Sequence, residues 1–380
     1  MPDYRAPGVF IEEAPVARAI AAVPRSTCLF LGPVRADPAA SRGALPLLDS
    51  AGAFAALHGG DAGPAFGGSV KAHLLAHAVR AYFAEGGERL YVLPVTATEG
   101  GAPQLADYAR ALATAAVPDE VGVLAAPGAS AWCSDIGGLH RLLADASEQA
   151  GARRFAVLDA PPDATPAQAA ALADALDTSR AALYYPWVAS AGADGVRRLL
   201  PPSGFVCGVY ARVERERGLH RAPAERLHTA AGLAYPLDRA QQEVLNPRGV
   251  NCIRQFPGRG ILVHGARTLS SSPEWKYVSL RRFVDQIELS VATGLPWVAF
   301  EPNGPALWQR VRSAVGDFLH AQWRAGALQG AKPEQAMFVR CDAATMTQQD
   351  LDEGRLVCLA GVALVKPGEF TLLRWSWRTA

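Results

Sequence analysis

Strand-length apolar runs that alternate with helix-length segments constrain this chain more than any other feature of its sequence. STCLFLG (26–32), RLYVLPV (89–95), VGVLAAPG (121–128) and RFAVLDAP (154–161) are short and almost wholly apolar. Runs of that kind belong to strands buried on both faces. Between them lie helical patterns: 69–83, with Val70, Leu74, Val79 and Phe83 toward one face; 103–116; 136–151; and 166–176 behind a Thr165 cap. The alternation predicts a mostly parallel sheet covered by helices on both sides. ALYYPWV (182–188) and GFVCGVYARV (204–213) read as the strands that follow, so this α/β unit is expected over about 26–215.

The rhythm then breaks. In 212–226, Arg212, Arg215, Arg217, Arg221 and Arg226 alternate with Glu214, Glu216 and Glu225. Interleaved signs argue against a nucleic-acid face. They fit ion pairs across a protein contact as well as they fit a solvated surface. The stretch on to Leu245 reads as a linker. From Val250 a second unit is expected, opening with a strand pair (250–256 and 260–267) around Pro257–Gly260. Tyr277, Leu280, Val284, Ile287 and Val291 then stripe a helix stopped by Gly294, and PWVAFEP (296–302) reads as a strand. Leu307, Val311, Val315, Phe318 and Leu319 stripe another helix, and strands are expected at 336–342, 355–365 and 369–377.

At 380 residues two domains are the natural expectation. Half the residues are hydrophobic, too many for a disordered chain, and the net charge of +1 supplies no field for nucleic acid or an anionic membrane. No run reaches the roughly 18 apolar residues of a spanning helix, so no membrane insertion is expected. The first residues, MPDYRAPGVFIEEAPVARAI, lack the basic-then-apolar layout of a secretion signal, and synthesis and folding in the cytoplasm are expected. Their prolines exclude a continuous helix, while Val9, Phe10 and Ile11 are expected to form a short strand, either the first edge strand of the fold or an arm that pairs with its own domain or a neighbour. The six cysteines (28, 133, 207, 252, 341, 358) contain no CxxC pair, and Cys28, Cys207 and Cys358 at least sit in apolar strand-like runs that favour buried, reduced thiols.

No catalytic constellation emerges. The glycines at 59–60, 63 and 67–68 lack the Lys-Ser/Thr pair of a phosphate loop, since Lys71 follows Ser69 and Val70. His73 and His77 have the spacing of a zinc pair, but residue 74 is Leu rather than the glutamate of HExxH, and they read as surface or interface histidines. No GxSxG elbow is present. Neither catalytic residues nor a cofactor or metal site are expected.

Several blocks in a fixed order do carry a signal. YRAPGVFIEE (4–13), ERERGLHRAPAE (214–225), LNPRGVNCIRQFPGRGILVHGARTLSSSPEWKYVSLRRF (245–283), FEPNGPALWQRVR (300–312) and the closing strands resemble the phage tail-sheath family. That family comprises the contractile sheaths of myophage tails, R-type pyocins and extracellular injection particles. The resemblance covers the first dozen residues and nearly everything from about 205 on; the middle is similar only in α/β character. It departs at Leu219-His220, where relatives often have Val-Trp, so a packing contact there is expected to be weaker or rebuilt. The single-chain layout also differs from the split sheath of type VI secretion, so that system's recycling ATPase is not implied.

The resemblance implies an α/β fold, α+β in its C-terminal part. An N-terminal arm (1–22) would be followed by an outer α/β domain (23–245) with a charged linker (214–245), an inner domain (246–366) and a terminal strand (367–380). It implies a non-enzymatic subunit of a six-start helical homopolymer around an inner tube protein, with baseplate and terminal cap proteins as further partners. Assembly would be cytoplasmic and the product a virion or contractile particle. The arms, through Val9, Phe10, Ile11, Phe370, Leu372, Arg374 and Trp375, would add strands to neighbouring subunits. Arg215, Arg217, Arg254, Arg259, Arg267, Arg310 and Arg312 are candidates for subunit or tube contacts, and the 304–325 helix for the tube. The alternatives are an α/β enzyme or nucleotide-binding protein using the 26–215 sheet, and a baseplate or cap component that shares the sheath fold.

Overall fold

The computed structural model describes residues 19–34, 45–59, 73–98, 101–149, 151–191 and 195–380. Val9, Phe10, Ile11 and the N-terminal arm as far as residue 18, and most of the glycine-rich loop with Lys71, lie outside the described residues. The described chain divides into two compact units, Val23–Ile287 and a second made of Glu288–Ala380 with the residues preceding Val23.

The first unit carries strands β1 (Thr27–Gly32), β2 (Leu47–Leu48), β3 (Leu90–Pro94), β4 (Val121–Ala125), β5 (Phe155–Asp159) and β6 (Ala181–Tyr185). Helices α1 (Ala51–His58), α2 (Leu74–Ala84), α3 (Leu105–Thr114), α4 (Ile136–Glu148) and α5 (Pro166–Asp174) lie between them. The side-chain period of two in β1 sends Cys28 and Phe30 into one core and Leu29 and Leu31 into another. Residues of α2 close the first core, and residues of α3, α4 and α5 close the second. Thr165 caps α5 through a reciprocal box with Gln168, as its sequence indicates.

Next come β7 (Val188–Ala191), β8 (Arg197–Leu200), α6 (Pro202–Arg217), β9 (Ala230–Leu233), α7 (Arg239–Leu245), β10 (Val250–Phe256) and β11 (Gly260–His264). Three corrections arise here. Residues 204–213 form the middle of helix α6 and not a strand. This helix is buried nearly all round up to Val213, so it shows no amphipathic period to distinguish it from a strand. A side chain at Gly204 or Gly208 would put Cβ 2.7 Å from the Ala78 carbonyl oxygen or 2.5 Å from that of Tyr82, so the glycines let α6 close onto α2. Second, the stretch up to Leu245 is structured, with β9 pairing β7 and α7 capped by Asp238.

The third correction concerns the hairpin at 250–264, which starts no new unit. β10 pairs parallel to β6 (Val250 opposite Leu183, Cys252 opposite Tyr185), and β11 pairs antiparallel to β10. The sheet runs β11-β10-β6-β5-β4-β1-β3-β2, with β8-β7-β9 as a separate antiparallel sheet. The division between units falls instead inside helix α8 (Val278–Gly294).

In the second unit, residues 296–302 include a single 3-10 turn (Pro296–Phe300) and not a strand, because Pro296 removes a ladder donor and starts the turn. Helix α9 (Pro305–Arg324) buries Leu307, Val311, Val315, Phe318 and Leu319, the stripe read from the sequence. Short helices α10 (Pro333–Ala336) and α11 (Gln348–Asp352) accompany strands β12 (Met337–Arg340), β13 (Arg355–Val362) and β14 (Thr371–Arg378). These three strands make an antiparallel sheet with β13 in the centre.

Candidate functional site

In a parallel sheet, ligands bind beyond the carboxyl ends of the strands. At the end of β5 that position is filled by the chain itself. Asp159 is buried and accepts from the Ser203 amide (2.7 Å) and hydroxyl (2.6 Å) at the start of α6. Burial nevertheless pushes its carboxyl up to about 7. His140 donates from Nε2 to the Asp159 carbonyl (3.1 Å), and its burial lowers it to about 4. Trp187 Nε1 and Ser130 Oγ both donate to the Ala160 carbonyl. These polar groups hold the strand end and α6 to each other. Among the described residues no group of three or more His, Cys, Asp or Glu could hold a metal ion. His77, read as a surface or interface residue, is buried on α2.

The Gly- and Arg-dense stretch at 245–282 also works internally. Arg281 lies over the Trp275 ring (4.2 Å) and pairs with Asp285 (2.7 Å), which also accepts from Arg180. Arg282 stacks over Tyr210 (4.5 Å) and donates to the Arg25 carbonyl (3.1 Å) and Ser26 Oγ (2.8 Å). Arg25 is itself buried; desolvation lowers its guanidinium to about 10. Its side chain donates to the carbonyls of Val121, Ala152 and Arg153. Asn251 brackets Arg267, accepting from its amide (2.7 Å) and donating to its carbonyl (2.8 Å). Arg254 donates to the Leu237 carbonyl and Gln242 Oε1, and both Arg254 and Arg259 lie against the Phe256 ring.

The charged strip beside it holds one buried pair and two exposed ones. Arg212 pairs with the buried Glu85 (3.1 Å), Arg215 with Glu88 (2.6 Å), and Arg217 with Glu225. Leu219 is buried and His220 meets Phe283 edge-on, which shows what packing this chain has at the Leu-His departure. In the second unit Arg310 pairs with Glu301 (2.9 Å) and covers the Trp297 ring (4.3 Å). Arg312 and Arg374 are exposed.

One feature of the second unit remains unspent. β14 pairs with β13 over its whole length, from Thr371 opposite Val362 to Arg378 opposite Arg355. The Thr379 amide donates to the Gly354 carbonyl (2.7 Å), which continues that register. In an antiparallel ladder, bonded and non-bonded pairs alternate. Residues 371, 373, 375 and 377 therefore bond to β13, and the backbone groups of Leu372, Arg374, Ser376 and Arg378 point away from it. None of those outward groups has a backbone partner among the described residues. The side chains of the same four are exposed, Leu372 by 71%. Of the other candidates on this strand, Trp375 is only 5% exposed and donates from Nε1 to the Glu288 carbonyl, and Phe370 packs edge-on against Phe338. By contrast, the outer side of β11 is closed by 225–227, whose backbone bonds to Ile261 and Val263. The sequence missed this distinction between outward and inward residues of β14, although the alternation in TLLRWSWR carries it.

The end of β5 is closed by the chain's own side chains, and among the described residues the outer edge of β14 has no backbone partner; both features suit a structural protein. Two contiguous family models match the chain: the phage tail sheath protein central domain over 101–269 and the phage tail sheath C-terminal domain over 270–377. A chain of the anti-feeding prophage (AFP) baseplate is 30% identical with a TM-score of 0.73, covering 97% of this chain and 98% of that one. A chain of the PVC sheath complex in its contracted state, from an extracellular contractile injection system, is 29% identical with a TM-score of 0.73, covering 99% and 98%. A sheath tail protein of Desulfitobacterium hafniense is 11% identical with a TM-score of 0.62, covering 98% and 100%, and shares the fold. No curated protein sequence matches the chain. The chain belongs to the phage tail-sheath family. It is a structural subunit of a contractile sheath and not an enzyme.

Proposed function

We propose that copies of this chain are linked into a helical sheath by strand addition to the open edge of β14. The observation that carries this is the row of outward backbone groups at Leu372, Arg374, Ser376 and Arg378, unpartnered among the described residues. An exposed sheet edge recruits a strand, with main-chain bonds for strength and alternate side chains for register. Val9–Ile11 of a neighbouring copy is the strand donor in this reading. The polymer is a six-start tube around an inner tube protein, ended by baseplate and cap proteins. It is assembled in the cytoplasm and works as part of a virion or extracellular particle. Contraction is a rigid-body rearrangement of subunits that keeps the strand links. The exposed face of α9, with Arg310 and Arg312, is the surface offered to the inner tube. The division of roles follows the two units: 23–287 forms the outer domain and 288–380 the inner one.

Electron microscopy of the purified chain tests this. Deleting 368–380 is a poor variant, because it also removes Leu373 and Trp375 from the core. Ser376→Pro is better, since it takes away an outward N–H and no bond to β13. Wild-type protein is expected to form tubes or contracted cylinders. Ser376→Pro, and a chain lacking residues 1–15, are expected to stay folded and unassembled. Tubes formed normally by both variants would overturn the proposal.

A further inference from the structure

Two of the six cysteines face each other across a sheet. β12 and β13 pair with Phe338 opposite Gly361 and Arg340 opposite Leu359, so the next position sets Cys341 opposite Cys358. The Ala363 amide donates to the Ala336 carbonyl (2.8 Å) in the same register, which makes 336/363 a bonded pair. Alternation then makes 338/361 and 340/359 bonded and 341/358 non-bonded. The ladder on the other side of β13 agrees, because there Cys358 belongs to a bonded pair with Trp375. Non-bonded antiparallel sites bring Cα atoms to about 4.5 Å, with the side chains closest. That falls inside the range of about 4.4–6.8 Å that a disulfide bridges without moving the backbone. Both thiols are free, both are buried, and no part of the assembly reading uses them.

We propose that Cys341 and Cys358 form an oxidisable cross-strand pair that closes to a disulfide when the chain meets a small-molecule disulfide. Interaction between the two thiols lowers Cys341 and raises Cys358. Cys341 directly follows the edge strand β12, whereas Cys358 lies in the central strand, so Cys341 is the attacking member. Its thiolate attacks one sulfur of oxidised glutathione and releases the first glutathione thiolate. The Cys358 thiol then loses its proton and displaces the second glutathione from the mixed disulfide. Two protein thiols are oxidised and one glutathione disulfide is reduced to two thiols. Entry to the pair is through β12, a four-residue edge strand whose residues are only partly buried or exposed. Once closed, the bond ties β12 to β13, the strand that carries β14. The site is intramolecular and independent of the assembly reading.

The test uses the full chain, purified reduced and then incubated with oxidised glutathione below its melting temperature. Thiols are alkylated in denaturant and peptides are mapped by mass spectrometry. Two of the six cysteines are expected to escape alkylation, in a linked peptide pair holding 341 and 358 that is two hydrogens lighter and is restored by dithiothreitol. Cys341→Ser and Cys358→Ser, each checked for folding by near-ultraviolet circular dichroism, are expected to keep no intramolecular link. Six alkylated cysteines in the wild-type chain would overturn the proposal. So would a link that maps to Cys28 and Cys207, or one that survives in the Cys358→Ser variant.

Discussion

Arg212 and Glu85 form an ion pair inside the first unit, Nη1 to Oε2 at 3.1 Å, with the carboxylate side chain wholly inaccessible. Glu85 follows the last turn of α2 and also accepts from the amides of His228 (2.9 Å) and Thr229 (2.8 Å). Arg212 donates to the carbonyls of Glu85 and Arg226. One pair thus joins α2, α6 and the approach to β9. Removing the cation leaves a buried charge, which typically costs about 3–5 kcal/mol. Arg212→Ala is expected to lose stability on that scale in urea denaturation, and Arg212→Ala with Glu85→Gln less. A loss under about 1 kcal/mol for Arg212→Ala would mean the pair is not buried as described.

Gly208 sets how closely α6 approaches α2, because an added Cβ would fall 2.5 Å from the Tyr82 carbonyl oxygen. Overpacking of this kind costs about 1–3 kcal/mol. Gly208→Ala should lower the free energy of unfolding by that amount. Gly316→Ala on α9, where an added Cβ meets nothing within 4 Å, should not lower it, and this pair of variants is the comparison to measure.

Asp159 and Asp107 move in opposite directions with pH. Asp159 is raised from 3.8 to about 7, so the folded chain holds a proton the unfolded chain has lost, and its contribution falls as pH rises from about 4 to 7, while that of His140, lowered from 6.5 to about 4, rises over nearly the same range. Asp107 accepts from the Thr98 hydroxyl (2.6 Å), the Gln104 amide (2.9 Å) and Arg110 (2.6 Å). Despite partial desolvation, those bonds lower it to about 2, so its contribution is present above its ordinary 3.8 and is lost as pH falls toward 2. Chemical denaturation between pH 2 and 8 should show stability between pH 4 and 7 changing more favourably with rising pH in Asp159→Asn than in the wild type, and the acid-side loss weakened in Asp107→Asn. An unchanged neutral slope in Asp159→Asn would contradict the assignment.

Arg310 is half exposed, paired with Glu301 and resting on Trp297. Exposed pairs contribute about 0–1 kcal/mol. Arg310→Ala should leave the melting temperature within a degree or two, so any large effect on tube assembly would report a contact with a partner.

How far the sequence could be read depended on range. Strands β1, β3, β4 and β5, the stripe of α9, and Val284, Ile287 and Val291 of the α8 stripe follow from local period and were legible, whereas Tyr277 precedes α8 and is exposed. Residues 204–213 were not, because a helix buried on every side has no polar face, and only the distant Ala78 and Tyr82 backbone explains Gly204 and Gly208. The 250–264 hairpin was legible as a hairpin, but its place in the first sheet is set by Leu183–Tyr185, some seventy residues earlier, roughly beyond any local signal. Arg254 stood out by type, and its guanidinium is held by Gln242, whereas at Arg267 Asn251 holds the backbone and not the side chain. For β14, alternation marked the strand, while the burial of Trp375 depends on an acceptor at Glu288.

In the proposed assembly the outward edge of β14 receives a strand from another copy. Electron cryo-microscopy with helical reconstruction of tubes grown from the full chain measures this directly. The account predicts a backbone strand of a neighbouring subunit bonded to Leu372, Arg374, Ser376 and Arg378. Tubes in which that edge faces solvent, or is covered by the subunit's own N-terminal residues, would contradict it.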